Sequence, residues 1–397
     1  MQTAWQRLKE FSPGDIENVQ TFFAPGRVNL IGEHTDYNGG FVFPAALTLG
    51  TVIMVRPRLD GIVRFASTSF EKVVELSVDD ITFQEEHDFA NYGKGVLWAL
   101  QKMGVRIFGA DFLYAGNLPS GAGLSSSASI EVGTAVAVQA IAKSQLPQIE
   151  LVKLSQQAEN QFVGVNCGIM DQFAVGMGKA NHALLLDCER LEYELVPFVA
   201  PGYQLVITNT NKRRELADSK YNERRSECER AVAELVRVRP HLQYLAQLSP
   251  DDWPLVKDVI TDPVIVKRAR HVIFEHARTK QSAKLLALGN LVEFGRLMNE
   301  SHVSLRDDYE VTGLELDALA EAAWSVPGCL GSRMTGAGFG GCTVSLVAVD
   351  AVADFERIVA KEYKEKTGLS ASFYVSSLGD GARNITEEVT TQLWRFL

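Results

Sequence analysis

The sequence predicts a chain of mixed strand and helix, of α+β or α/β class. Three observations carry this. Seven short runs have the alternating or continuous apolar character of strands, and four longer stretches have helical character. The helical stretches fall between the strand-like runs. The composition is also that of an ordinary globular chain: of 397 residues, 46% are hydrophobic and 22% charged, with Gly 32 and Pro 13. This excludes a disordered or collagen-like protein, and at roughly 100–200 residues per domain it allows two or three domains.

In chain order, Leu49–Val55, Ile62–Ser67 and Ala110–Ala115 read as strands. A helix is expected at Ser127–Ala142. A second is expected at Ile149–Val163, where Leu151, Leu154, Ala158 and Phe162 form one stripe. Ala183–Leu186 and Tyr203–Thr208 read as strands. Between them, Pro197-Phe198-Val199-Ala200-Pro201-Gly202 is the expected boundary, dividing residues 1–200 from 201–397, with a C-terminal tail free to return to the first half. Helices follow at Leu216–Val238 and Ser282–His302, and strands at Cys342–Val349 and Ser372–Val375. The helix from Leu216 carries charges of both signs and reads mainly as a solvated face with i,i+4 pairs.

Lys plus Arg total 39 against 49 for Asp plus Glu, a net charge of −10. A generally basic nucleic-acid surface is therefore not expected. The longest apolar stretch, Phe41–Val55, is interrupted by Pro44, Thr48, Gly50 and Thr51 and is shorter than the ~20 residues a membrane helix needs. The first residues, Met1-Gln2-Thr3-Ala4-Trp5-Gln6-Arg7, lack a secretory apolar core. Cys167, Cys188, Cys228, Cys329 and Cys342 are odd in number and contain no C-x-x-C, which argues against a disulfide framework or structural zinc and for the cytoplasm.

Three segments depart from average composition. The first runs from Ala24 to Gly40 and holds Arg27, Glu33, His34 and Asp36 among glycines and turn formers. Such a set can orient sugar hydroxyls, each of which both donates and accepts. A solvated polar turn is the plainer reading, and a metal site at Glu33, His34 and Asp36 a third, although soft ligands are missing. The second is Gly116-Asn117-Leu118-Pro119-Ser120-Gly121-Ala122-Gly123-Leu124-Ser125-Ser126-Ser127-Ala128-Ser129. A strand, a small-residue loop and a helix start hold phosphates: the backbone comes close, amides point at the anion, and the helix end adds positive charge. It is not a Walker A loop, since no Gly-Lys-Ser/Thr occurs. The alternative is a flexible turn with serine as helix N-cap. The third, Thr335-Gly336-Ala337-Gly338-Phe339-Gly340-Gly341-Cys342, satisfies G-x-G-x-x-G but leads into a strand, so a Rossmann dinucleotide site is rejected. A glycine turn entering a strand still lets backbone approach a ligand. A quieter feature is Asp171 in Gly168-Ile169-Met170-Asp171-Gln172-Phe173, twelve residues after Glu159. The aspartate is either a helix cap or one of two carboxylates that hold a metal and orient a nucleophile.

Together these segments resemble the galactokinase family, within the GHMP group of small-molecule kinases. The match covers the signature around Glu33-His34-Thr35-Asp36-Tyr37, the Pro119–Ala128 phosphate motif and the C-terminal glycine motif, and it extends through Phe89–Val96, Cys167–Gln172, Thr208–Asn211 and Ser219–Arg225. The resemblance implies an α+β, two-lobed GHMP kinase fold, with an N-terminal lobe like the second domain of ribosomal protein S5, a ferredoxin-like C-terminal lobe and a cleft between them. It also implies transfer of the ATP γ-phosphoryl group to the anomeric hydroxyl of α-D-galactose, the entry step of galactose catabolism. By motif position, Asp171 and Arg27 would be catalytic, and Glu33, His34, Asp36, Gly168 and Tyr221 would hold the sugar. Phe89, Tyr92, Pro119, Ser120, Gly121, Ala122, Gly123, Leu124, Ser125, Ser126 and Arg213 would bind ATP. Ser127 and Glu159 would hold Mg2+. Galactose and ATP are the implied partners, with no nucleic acid, membrane or obligatory protein partner. A kinase for N-acetylgalactosamine or another sugar, and a non-catalytic sensor of sugar and nucleotide, are the alternatives.

Overall fold

The computed structural model describes residues 2–119, 122–212 and 217–393. The first part of the chain contributes α1 (Gln2–Phe11), β1 (Gln20–Asn29), β2 (Phe41–Val42), β3 (Pro44–Pro57), β4 (Ile62–Ser67), β5 (Val74–Ser77), α2 (Ala90–Lys102), β6 (Ala110–Gly116), α3 (Ser126–Ala142), α4 (Gln148–Ala158), α5 (Met170–Met177), β7 (His182–Asp187) and β8 (Glu192–Pro197). The second contributes β9 (Tyr203–Asn209), α6 (Ala217–Leu235), α7 (Trp253–Val256), α8 (Pro263–Ala287), α9 (Leu291–Asp307), α10 (Gly313–Ser325), β10 (Cys329–Thr335), β11 (Cys342–Ala348), α11 (Val352–Thr367), β12 (Ser372–Ser376), β13 (Arg383–Asn384) and α12 (Thr386–Leu393).

Among the described residues three sheets form, in the orders β13-β1-β3-β6-β4-β5, β10-β11-β9-β12 and β2-β7-β8. Every pairing is antiparallel except β4 with β6. Of the two classes the sequence allowed, this is α+β. The first sheet packs on α2, α3 and α4 around Phe22, Phe65, Phe112, Leu97 and Val132. Each such side chain contributes roughly 1.5–3 kcal/mol by leaving water. A second core joins residues from both halves: Val28, Leu30 and Phe43 meet Leu205, Ile207, Phe294 and Val344. The site is built over this junction. β13 pairs with β1 at the edge of the first sheet.

All seven expected strands are present, each within a residue or two at its ends except Leu49–Val55, which extends to β3. Two helices depart from expectation. Ser282–His302 is not one helix: the chain breaks at Gly289-Asn290, and the Asn290 side chain caps α9 by accepting the Glu293 amide. Ile149–Val163 is α4 followed by a wider π turn over Glu159–Val163. Such turns insert an extra residue and recur at functional sites; here the turn buries Glu159. The Leu216 start of the third helix lies outside the described residues. Within α6, Arg225 pairs with Glu229 at i,i+4 as expected, but Arg224 is buried and donates to the carbonyls of Tyr309 and Glu310.

Candidate active site

Arg27 stands at the end of β1, just after a register shift between Pro25 and Arg27. Bulges of this kind re-aim side chains next to sites. Arg27 meets Asp171 in the first turn of α5 as a fork: Nε donates to Oδ1 and Nη2 to Oδ2, both at 2.9 Å. Its Nη1 donates to the Gly123 carbonyl at 2.7 Å. Bidentate charge-assisted pairs fix orientation as well as attraction. Ser125 adds a third contact, its hydroxyl donating to Asp171 Oδ2 at 2.5 Å. Ser125 holds the N-cap position of α3, in left-handed backbone (φ 59), but makes no side-chain cap. The hydroxyl that the alternative reading would use as a helix cap bonds the carboxylate instead.

The signature segment is fastened to the glycine turn between β10 and β11. Gly336 and Gly338 have φ of 89 and 84, which let the turn fold back on the signature. The Gly336 amide donates to Glu33 Oε1 at 2.6 Å, and Asn29 Nδ2 donates to Glu33 Oε2. Arg333 Nη1 lies 3.5 Å from the same carboxyl. Burial pushes the Glu33 carboxyl above the ordinary range, against the pull of Arg333. His34 Nε2 lies 3.1 Å from the Ala337 carbonyl, and Nδ1 lies 2.8 Å from the Tyr37 hydroxyl. A carbonyl can only accept, so Nε2 carries the proton and Nδ1 accepts from Tyr37. Burial lowers the His34 pKa to about 3, which keeps the ring neutral. Both ring nitrogens are therefore committed to the protein.

Asp36 is pushed up to about 7, chiefly by burial and then by the charge of Asp171. Gly168 lies against it: a Cβ there would stand 1.8 Å from Asp36 Oδ2. Tyr221 on α6 sets its ring 5.5 Å from His34 and meets Tyr37 edge-on at 5.3 Å. On the other side, Glu159 is hydrogen-bonded by Ser127 and pushed upward by burial and by Asp171. Cys167 Sγ lies 3.3 Å from Glu159 Oε2, and burial pushes this thiol well up, so it stays protonated.

Arg27, Glu33, His34, Asp36, Gly123, Ser125, Ser126, Ser127, Glu159, Gly168, Asp171 and Tyr221 all line one cavity of about 680 Å³. Cys167, Met170, Asn222 and Ala337, which sit inside the matched motifs but carry no expected role there, line it too. Other expected positions are elsewhere. Ala122 and Leu124 bury their side chains in the core beside Val28 and Leu30, and Pro119 does not line the cavity. Phe89 and Tyr92, at the start of α2, do not line it either; Phe89 stacks on Phe70 at 5.1 Å, nearly parallel. Ser120, Gly121 and Arg213 lie outside the described residues. Among the described residues, no three or more of His, Cys, Asp and Glu are grouped to hold a metal ion. With both His34 nitrogens engaged, a metal centre at Glu33, His34 and Asp36 is not formed. No helix among the described residues is long and apolar enough to cross a membrane.

Residues 10–57 match the galactokinase galactose-binding signature, 91–179 the GHMP kinases N terminal domain, and 282–365 the GHMP kinases C terminal domain. A GHMP-type small-molecule kinase is what this fold and cavity define. A galactokinase of Fusobacterium nucleatum is 54% identical over 370 residues, covering 92% of this chain and 95% of that one. One of Bacillus subtilis is 51% identical over 378 residues, covering 94% and 97%. The crystal structure of Lactococcus lactis galactokinase complexed with galactose gives a TM-score of 0.92 at 46% identity, covering 95% of this chain and 98% of that one. The chain belongs to the galactokinase family. A mevalonate kinase structure, with a TM-score of 0.63 at 19% identity, shares the fold alone.

Proposed function

We propose that this chain transfers the γ-phosphoryl group of ATP to the anomeric hydroxyl of α-D-galactose, giving galactose 1-phosphate. The observation that carries the reading is the Arg27–Asp171 fork, tied by Ser125 to the start of α3 and facing Glu33 and Asp36 across one cavity. Phosphoryl transfer needs an in-line oxygen nucleophile and a charged cradle for the moving group. Asp171 accepts the hydroxyl proton, and Arg27 and Ser125 hold its oxygens in place. Arg27 and the N-terminal end of α3 offer positive charge to the phosphoryl oxygens. Glu33 and Asp36 orient ring hydroxyls, with Gly168 and Tyr221 closing the sugar pocket. ATP lies along Pro119–Ser126, with Phe89, Tyr92 and Arg213 toward its far parts.

The donor chemistry at Ser127 and Glu159 fits Mg2+: a hard cation that takes one or two protein oxygens, waters and phosphates. The Glu159 carboxyl is raised first by burial and then by the Asp171 charge, and such a cation relieves that repulsion. Ser127 and Glu159 would hold the ion, which when bound screens the phosphate charge. We also place the lobe boundary near Pro201 and the protein in the cytoplasm, the latter on its five free cysteines.

A coupled assay of ADP release with galactose and with its 2-acetamido analogue tests the substrate. Galactose is expected to support turnover with the higher kcat/KM. Preference for the analogue transfers the reading to an N-acetylgalactosamine kinase, and no ADP from either sugar removes it.

A further inference from the structure

Gln172 follows the candidate base in sequence and has no part in the scheme above. It is fully buried. Its amide nitrogen donates to Glu131 Oε2 at 3.0 Å and to Glu159 Oε2 at 2.5 Å. A primary amide has two N–H donors, so both are used. The opposite flip would aim a carbonyl oxygen at two carboxyls. Glu131 lies on α3, one turn beyond Ser127, and is also fully buried. Glu159 opens the wide turn after α4. One side chain on α5 therefore joins α3 to the turn after α4, next to a residue that lines the cavity.

We propose that Gln172 is a positioning residue for the metal site, clamping Glu159 against Glu131 so that Glu159 is held beside Ser127. The inference rests on Ser127 and Glu159 being the magnesium ligands. Partners behind a metal ligand fix its direction, and their loss typically lowers metal affinity about 10–100-fold. Asp171 and Gln172 are consecutive in the first turn of α5. The first is held by Arg27 and Ser125, the second holds Glu159. The turn thus fixes the nucleophile side and the metal side of the reaction together.

The test is binding of Mn2+ to the full chain in the presence of ADP, followed by loss of the free-ion EPR signal. Galactose affinity without nucleotide is measured alongside. In Gln172→Met, which removes the donors and keeps the volume, the Mn2+ Kd is expected to rise ~10-fold or more while the galactose Kd stays unchanged. Gln172→Asn, whose amide is one methylene too short to reach both carboxyls, is expected to behave alike, and it carries the test if the methionine variant does not fold. Unchanged Mn2+ binding in the Gln172 variants, with binding lost in Glu159→Gln, overturns the positioning role and leaves the metal ligands standing. Equal loss of metal and galactose affinity also overturns it, since that marks a merely structural residue. Unchanged Mn2+ binding in Glu159→Gln overturns the metal assignment and the positioning role with it.

Discussion

Asp171 is held from three directions, which makes it the sharpest single-residue test. Asp171→Asn keeps the shape but loses the proton acceptor, and kcat for galactose is expected to fall ~10²–10⁴-fold or more. Affinity for a non-hydrolysable ATP analogue should persist; a variant with near-normal turnover would remove Asp171 as the base. Asp36 gives a pH test. Its pKa rises from 3.8 to about 7 because burial penalises the charged form and Asp171 repels it. The folded state therefore holds a proton that the unfolded chain releases. The resulting stability is present in full below about pH 3.8 and lost as pH rises through about 7. In sugar-free protein, Asp36→Asn is expected to gain Tm over the parent as pH goes from 5 to 8; a gap that is constant across that range sinks the assignment. At this scale the sequence was most legible where residues of special chemistry stood close together, as in Glu33-His34-Thr35-Asp36. It assigned no role to Gln172, although Gln172 falls inside the matched Cys167–Gln172 segment, or to Arg333, because the partners that give them one, Glu131 and Glu159 for the first and Asn29 for the second, are met only in the fold.

Elements bring those residues within reach. Gly168 lets the loop before α5 lie against Asp36, with no space for a methyl group. Gly168→Ala must move one or the other by an ångström or so. We expect kcat/KM for galactose to drop up to ~100-fold with the ATP KM little altered; parallel rises in both KM values would show that the loop serves the nucleotide equally. Strands with continuous or alternating apolar residues were readable because their pattern is local. β1 was not, since Pro25, Gly26 and Arg27 interrupt its apolar run, and it becomes a strand only between β3 and β13. β8 leaves most of its side chains exposed and carries little signal. The turn at Glu159 continues the stripe of α4, so its wider winding could not be told from a helix.

Over the whole molecule, the two halves are tied at the site itself. Arg333 on β10 is wholly buried and donates to the Asn29 carbonyl of β1 at 3.0 Å, while also facing Glu33 and, at 3.8 Å, Glu275 of α8. Arg333→Leu leaves these carboxyls without their shared counter-charge. Breaking a buried pair in this way costs about 3–5 kcal/mol, read as a fall in the denaturant midpoint. A midpoint equal to the parent's would show that the tie carries no weight. The two-lobed plan was legible through resemblance of motifs; the seam was not, because it is made of contacts between residues some three hundred positions apart, such as Asn29 and Thr335.

Ser125 gives its hydroxyl to Asp171 rather than to its own helix, and this has a consequence for how the two substrates sense one another. The residue at the start of α3, where the phosphates are proposed to lie, also steadies the carboxylate proposed as the base. Occupation of either side is then expected to favour the other, and linkage makes the factor the same in both directions, galactose on nucleotide as nucleotide on galactose. Ser125→Ala is expected to bring that factor toward unity, measured by titrating galactose with and without ADP. Equal coupling in variant and parent would mean that communication between the ligands runs through some other contact.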